Sequence, residues 1–223
     1  MVALPSGPWQ AAHGSALRLP ASTSAAHAGA SMAASSATAI ETPARAADVE
    51  AGRRKAEPCA ACHGPDGNAT VPGTPSLAGQ PVFFTHWQLI KFRDGRRKDA
   101  QMSPVAKDLT DTDMADLAAY YAKQTARPRP ATTDPDKVAE GKRLATLHHC
   151  ASCHRPDLTG QQQVPRLAGQ DYEYLLRLLR GFKSKTASDL DGTMTMAAQP
   201  LRDEDIVSLV HFLASLGSTP KTQ

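Results

Sequence analysis

The sequence predicts an all-α protein built from two tandem copies of one small domain. Three observations carry that prediction. Apolar residues recur at helical spacing with no convincing strand alternation. The second half of the chain restates the first at a nearly fixed offset. All four cysteines fall into two Cys-x-x-Cys-His motifs, one in each copy.

The repeat is detailed. Cys62-His63-Gly64-Pro65-Asp66 answers Cys153-His154-Arg155-Pro156-Asp157, and Pro75-Ser76-Leu77-Ala78-Gly79-Gln80 answers Pro165-Arg166-Leu167-Ala168-Gly169-Gln170. Met102, Leu109, Asp111, Asp113, Leu117 and Tyr120 answer Met194, Leu201, Asp203, Asp205, Leu209 and Phe212, so the offsets are 91, 90 and 92 residues. At 223 residues the chain suits two small domains. Domains of this size struggle to bury a sufficient core from side chains alone, and only 5% of residues are aromatic.

Taken in chain order, residues 1–47 are rich in Ala, Ser and Thr, lack apolar periodicity, and read as a disordered leader or export segment. The first domain spans 48–126. Its helices are expected near 48–57, over 81–93 and from the acidic cluster Asp111/Asp113, where negative charge suits a helix N-terminus. Met114, Leu117, Ala118 and Tyr121 share the apolar face of that last helix, so Met114 reads as core. Residues 127–135 form a linker whose three prolines forbid a continuous helix. The second domain, 136–217, repeats the plan: helices near 136–148, over 171–182, and from Asp203/Glu204/Asp205, with Ile206, Leu209, Val210 and Leu213 on the buried face. Asp48 and Asp136 stand near the N-terminal ends of the opening helices. A short tail, 218–223, closes the chain.

Cys59-Ala60-Ala61-Cys62-His63 and Cys150-Ala151-Ser152-Cys153-His154 are haem-attachment signatures. Two thiols one helical turn apart bond to the porphyrin vinyl groups, and the adjacent imidazole ligates the iron. The rivals fit less well. Zinc ribbons place their Cys pairs about 15–20 residues apart, whereas these begin 91 apart. A thioredoxin-like pair needs a βαβ setting and leaves the following histidine unexplained. A disulfide framework suits short chains with closely spaced cysteines. The cofactors read from the chain are therefore two covalently bound haem c groups, each supplying an apolar plate for a small domain to pack around.

The sixth iron ligand separates an electron carrier from an enzyme. A Met thioether opposite His fills the coordination sphere and raises the haem potential. Met102, in a short loop before the last helix, is the candidate for the His63 iron; the rival role is packing. For the His154 iron the candidate is Met194, which stands seven residues before Leu201 as Met102 stands before Leu109. Met196 is the alternative. A ligating His normally donates its second ring N–H to a carbonyl or carboxylate. A backbone carbonyl in the Pro75 or Pro165 turn suits that role, with Leu77 and Leu167 packing on the haem; an ordinary turn before a helix is the rival reading. His86, His148, His149 and His211 read as ordinary helix or surface residues.

In combination these motifs resemble the dihaem cytochrome c4 family, over about residues 48–217. The resemblance implies two class I cytochrome c domains, each wrapped around its haem and related by a pseudo-twofold axis with the haem edges facing one another. It also implies electron delivery from a membrane respiratory complex toward a haem-copper terminal oxidase. Two features depart from the pattern of the first copy. Arg155 stands where the first copy has Gly64, and nothing in the loop 183–192 matches Gly95-Arg96-Arg97.

Charge excludes little. The net charge is +3, and the first domain carries ten basic and ten acidic residues. Arg93, Arg96, Arg97 and Lys98 form a basic run suited to steering an acidic partner or neutralising propionates, or to a solvated helix end. No stacking platform accompanies it, so nucleic acid is not an expected partner. No segment approaches the roughly 20 apolar residues that span a bilayer. Haem attachment of this type resembles a periplasmic process, and Ala44-Arg45-Ala46 resembles an A-x-A cleavage site, though no continuous apolar stretch precedes it. The expected location is periplasmic, free or peripherally held on the inner membrane. Three function classes follow: a dihaem electron carrier, the cytochrome subunit of a dehydrogenase, and a dihaem peroxidase. The last requires an open iron position and a distal acid/base group, where both copies instead offer Met.

Overall fold

A computed structural model describes residues 46–129, 131–187, 189 and 191–217. The expected leader lies outside them except for its last two residues, and the tail 218–223 lies outside them altogether. Both repeats fall within one compact unit, Ala44–Gln223. Among the described residues the structure is helical, with one isolated bridge between Gln161 and Val164.

The first repeat contains α1 (Val49–Lys55), a 3₁₀ turn (Glu57–Cys59), α2 (Ala60–His63), α3 (Val82–Arg93), α4 (Met102–Lys107) and α5 (Asp111–Ala122). The second contains α6 (Pro135–Leu147), α7 (Cys150–His154), α8 (Tyr172–Lys183), α9 (Thr193–Ala198) and α10 (Asp203–Ser215). Side-chain caps fix where these helices begin. The Asp48 carboxylate accepts from the Glu50 and Ala51 amides, and Thr110 and Asp113 form a reciprocal capping box on α5.

Two expectations need adjustment. Helix α6 starts at Pro135, inside the segment read as linker, and Asp134 rather than Asp136 caps it. Proline fits the first helical position because its missing N–H would be unpaired there in any case. Met102 is the first residue of the short helix α4 rather than part of a loop. The Asp99 carboxylate accepts from the Gln101 and Met102 amides and starts that turn.

Each repeat crosses its first helix over its last at a glycine. A Cβ on Gly52 would lie 2.1 Å from the Asp116 carbonyl oxygen, and one on Gly141 would lie 2.0 Å from that of Ser208. Contact this close admits no side chain, so α1 packs on α5, and α6 on α10, backbone to backbone. The apolar faces of α5 and α10 supply the cores. Met114, Leu117, Ala118 and Tyr121 are buried, as are Ile206, Leu209, Val210 and Leu213. The second core also takes in Leu144, Leu158, Leu175 and Leu201. In the first repeat, half-buried Cys59, Leu77, Leu89 and Leu109 pack against Leu117, Tyr120 and Tyr121.

Candidate haem sites

The two Cys-x-x-Cys-His motifs adopt matching geometries in separate cores. Cys59 packs against the Leu117 cluster and Cys150 against the Ile206 cluster. They are therefore two sites, not one four-cysteine centre. The four thiols are free of disulfides. Cys62 and Cys153 are exposed, while Cys59 and Cys150 are half-buried, and burial pushes the thiols of the latter two up.

Each motif ends in a helical turn that the chain leaves through a left-handed residue. Gly64 has φ +77° and ψ 157°; Arg155 takes nearly the same values, φ +72° and ψ 159°. Three residues on, Gly67 and Leu158 again correspond, at φ +79° and +56°. The carbonyl of Gly67 accepts from the Leu77 and Ala78 amides at 2.7 and 3.0 Å, and that of Leu158 from Leu167 and Ala168 at 2.8 and 3.1 Å. These bonds fold each Pro-x-Leu segment back over its histidine. Gly79 N–H then donates to the Tyr121 carbonyl, and Gly169 N–H to that of Leu213, both at 2.9 Å, tying the segment to the last helix.

The result is a fixed imidazole in each copy. His63 Nδ1 lies 2.9 Å from the Pro75 carbonyl oxygen, and His154 Nδ1 lies 2.9 Å from that of Pro165. A carbonyl can only accept, so each Nδ1 carries the proton. Burial lowers both histidines' pKa values, against a smaller opposing effect of the carbonyls. A neutral ring protonated at Nδ1 leaves its Nε2 lone pair available, the form that ligates a metal.

On the methionine side, Met102 and Met194 are half-buried near the starts of α4 and α9, whereas Met196 is 75% exposed. Asp189 and Asp191 accept from the Thr195 and Thr193 amides and set the start of α9. Within the first core, the Tyr121 hydroxyl and Thr85 Oγ1 are buried without hydrogen-bond partners. Tyr121 also borders Cys59. Two vicinal thiols and a neutral imidazole, beside half-buried apolar side chains, are a donor set that fits a covalently held porphyrin.

The basic run is largely engaged within the fold. Arg93 pairs with Asp111 at 2.6 Å, Arg96 with Asp94 at 2.7 Å, and Arg97 donates to Gln88 while lying over the Phe92 ring at 4.4 Å. Sequence reasoning assigned no role to three groups that the structure puts to use. Gly52 and Gly141 make the helix crossings. Gln80 and Gln170 bond across to the opposite repeat. Arg129, in the linker, pairs with buried Asp171 at 3.1 Å and donates to the Thr74 carbonyl. The glutamines were visible as repeated letters, but repetition carries no statement of contact.

Comparisons with known proteins agree with this geometry. The cytochrome c family matches residues 138–217, and the family described as cytochrome c oxidase, cbb3-type, subunit III matches 46–120. Cytochrome c4 of Thiocapsa roseopersicina is 38% identical, covering 76% of this chain and 93% of that protein. A thiosulfate dehydrogenase electron acceptor of Thiomonas intermedia is 33% identical, covering 74% of this chain and 82% of that protein. The crystal structure of reduced recombinant cytochrome c4 from Pseudomonas stutzeri superposes with a TM-score of 0.71 at 30% identity, covering 77% of this chain and all of that one. Paired attachment motifs, an all-helical duplicated fold and relatives matched over nearly their whole length lead to one assignment: this chain belongs to the cytochrome c4 family of dihaem c-type electron carriers.

Proposed function

We propose that His63 with Met102, and His154 with Met194, would hold the irons of two haems that together form a two-step electron relay. The observation that carries this reading is the matched pair of His–carbonyl bonds, each 2.9 Å, on the residue that follows each Cys-x-x-Cys. The haem supplies the one-electron couple. Cys59, Cys62, Cys150 and Cys153 anchor the porphyrins, Pro75 and Pro165 orient the imidazoles, and Leu77 and Leu167 pack beside them. Met194 is preferred to Met196 because the latter projects into solvent. A histidine and a methionine at each iron would leave no ligand to exchange on reduction, so the protein around each centre would need little rearrangement.

The proposed setting is periplasmic, with electrons arriving from a membrane respiratory complex and leaving to a haem-copper terminal oxidase. No described helix is long and apolar enough to cross a membrane. A second reading, relay for a thiosulfate dehydrogenase, is favoured by the relative that carries that electron-acceptor name. Co-purification of a catalytic subunit, against reduction of this protein by a respiratory complex, separates the two. The ligand assignment has its own test. Met102→Ala should open the first iron to exogenous ligands and lower its midpoint potential, while unchanged ligand binding and potential would remove Met102 as an axial ligand.

A further inference from the structure

The two repeats meet through a reciprocal exchange of carboxamides. Gln170 Oε1 accepts the Ser76 N–H at 2.7 Å, and its Nε2 donates to the Ser76 carbonyl at 2.9 Å. Gln80 does the same to Arg166: Oε1 accepts the N–H at 2.9 Å and Nε2 donates to the carbonyl at 3.0 Å. Backbone donors can meet only the oxygen and backbone acceptors only the nitrogen, so both amide orientations are settled by their partners. Both glutamines are buried, at 4% and 5% exposure. Residue i of one copy contacts j of the other and j contacts i, the pattern a twofold relation produces.

The bonded peptides are the informative part. Ser76 N–H belongs to the same peptide group as the Pro75 carbonyl that holds His63. Arg166 N–H belongs to the same peptide group as the Pro165 carbonyl that holds His154. Each repeat's glutamine therefore grips, from across the interface, the peptide that orients the other repeat's histidine. A hydrogen bond accepted from a peptide N–H pushes electron density onto that peptide's carbonyl oxygen, and linked bonds of this kind strengthen one another. A stronger acceptor at Nδ1 makes the imidazole a more basic ligand, which stabilises oxidised iron.

We propose that Gln80 and Gln170 are positioning residues that each tune the potential of the haem in the opposite repeat, Gln170 acting on the His63 iron and Gln80 on the His154 iron. The inference rests on those histidines being the iron ligands. It makes the interface an electrical element as well as a mechanical one, because separating the repeats would release both peptides together.

The test uses the full holoprotein with Gln170→Met and Gln80→Met. Site-resolved midpoints come from redox titration followed by the paramagnetically shifted haem methyl resonances. Gln170→Met should raise the midpoint of the haem on Cys59/Cys62, leave the other in place, and speed amide exchange at Ser76. Gln80→Met should do the converse, with faster exchange at Arg166. Midpoints that move together, that move in the glutamine's own repeat, or that do not move would overturn the proposal. If a Met variant fails to load haem, Gln→Asn keeps the carboxamide but shortens its reach by one methylene, and the same crossed pattern is required of it. The underlying ligand reading is judged separately on the wild type: if the iron-shifted imidazole resonances belong to residues other than His63 and His154, that reading and this one both fall.

Discussion

Arg155 occupies a backbone conformation that only glycine adopts without strain. At φ +72° and ψ 159° it copies Gly64, whose own Cβ would stand 2.4 Å from the Asn68 carbonyl oxygen. Non-glycine residues in this region carry about 1–3 kcal/mol of strain, and the Arg155 side chain offers little in return, pairing with Asp157 only at an exposed 3.9 Å. Arg155→Gly should therefore stabilise the second repeat by about 1 kcal/mol, after the greater unfolded-state entropy of glycine is deducted. A raised urea midpoint at unchanged m-value would show it. Gly64→Ala should move the first repeat in the opposite direction.

At the scale of elements, the helix order, the helix type and the buried faces were legible because they are written in local pattern. Leu117 and Tyr121 recur on one face of α5, Leu209 and Leu213 on one face of α10, and acidic residues mark where both helices begin. Helix starts were readable only to within a residue or two. Asp134 and Asp136 both satisfy the cap preference, and a proline between them reads equally as linker or as first helical turn until the chain is folded. The crossings were not legible at all, because a glycine inside a helical pattern signals weakness unless the opposing backbone is known. Gly141 is such a residue. Gly141→Ala forces a methyl group against the Ser208 carbonyl and the Phe212 Cβ, and should cost about 2–3 kcal/mol, the upper range for overpacking. Gly181→Ala, near the end of α8 where the nearest atom is a side-chain methyl at 2.9 Å rather than backbone, should cost less. Equal losses at the two positions would argue against the close crossing.

Across the whole molecule, the halves are held by polar groups that act from one repeat upon the other. Asp171 accepts the Gly73 N–H at 2.9 Å while capping its own helix α8, Arg177 returns a bond to the Gly73 carbonyl, and Arg129 reaches from the linker to both sides. Arg97 of the first repeat also donates to the Tyr174 hydroxyl of the second. None of this could be read from sequence, since periodicity reports which residues leave water but not which surfaces meet. The attachment cysteines and their histidines were legible because covalent haem chemistry demands a fixed local spacing. The methionines were legible only as candidates, because their distance from the histidine along the chain is set by the fold. The ligand sets therefore decide whether the two centres form a relay. The direct measurement is the intensity of the Met–iron charge-transfer band per haem in the oxidised holoprotein, compared among wild type, Met102→Ala, Met194→Ala and Met196→Ala. Two equivalents in the wild type, one in each of the first two variants and two in the third are the expected result. A single equivalent in the wild type, or loss of the band in Met196→Ala with retention in Met194→Ala, would contradict it.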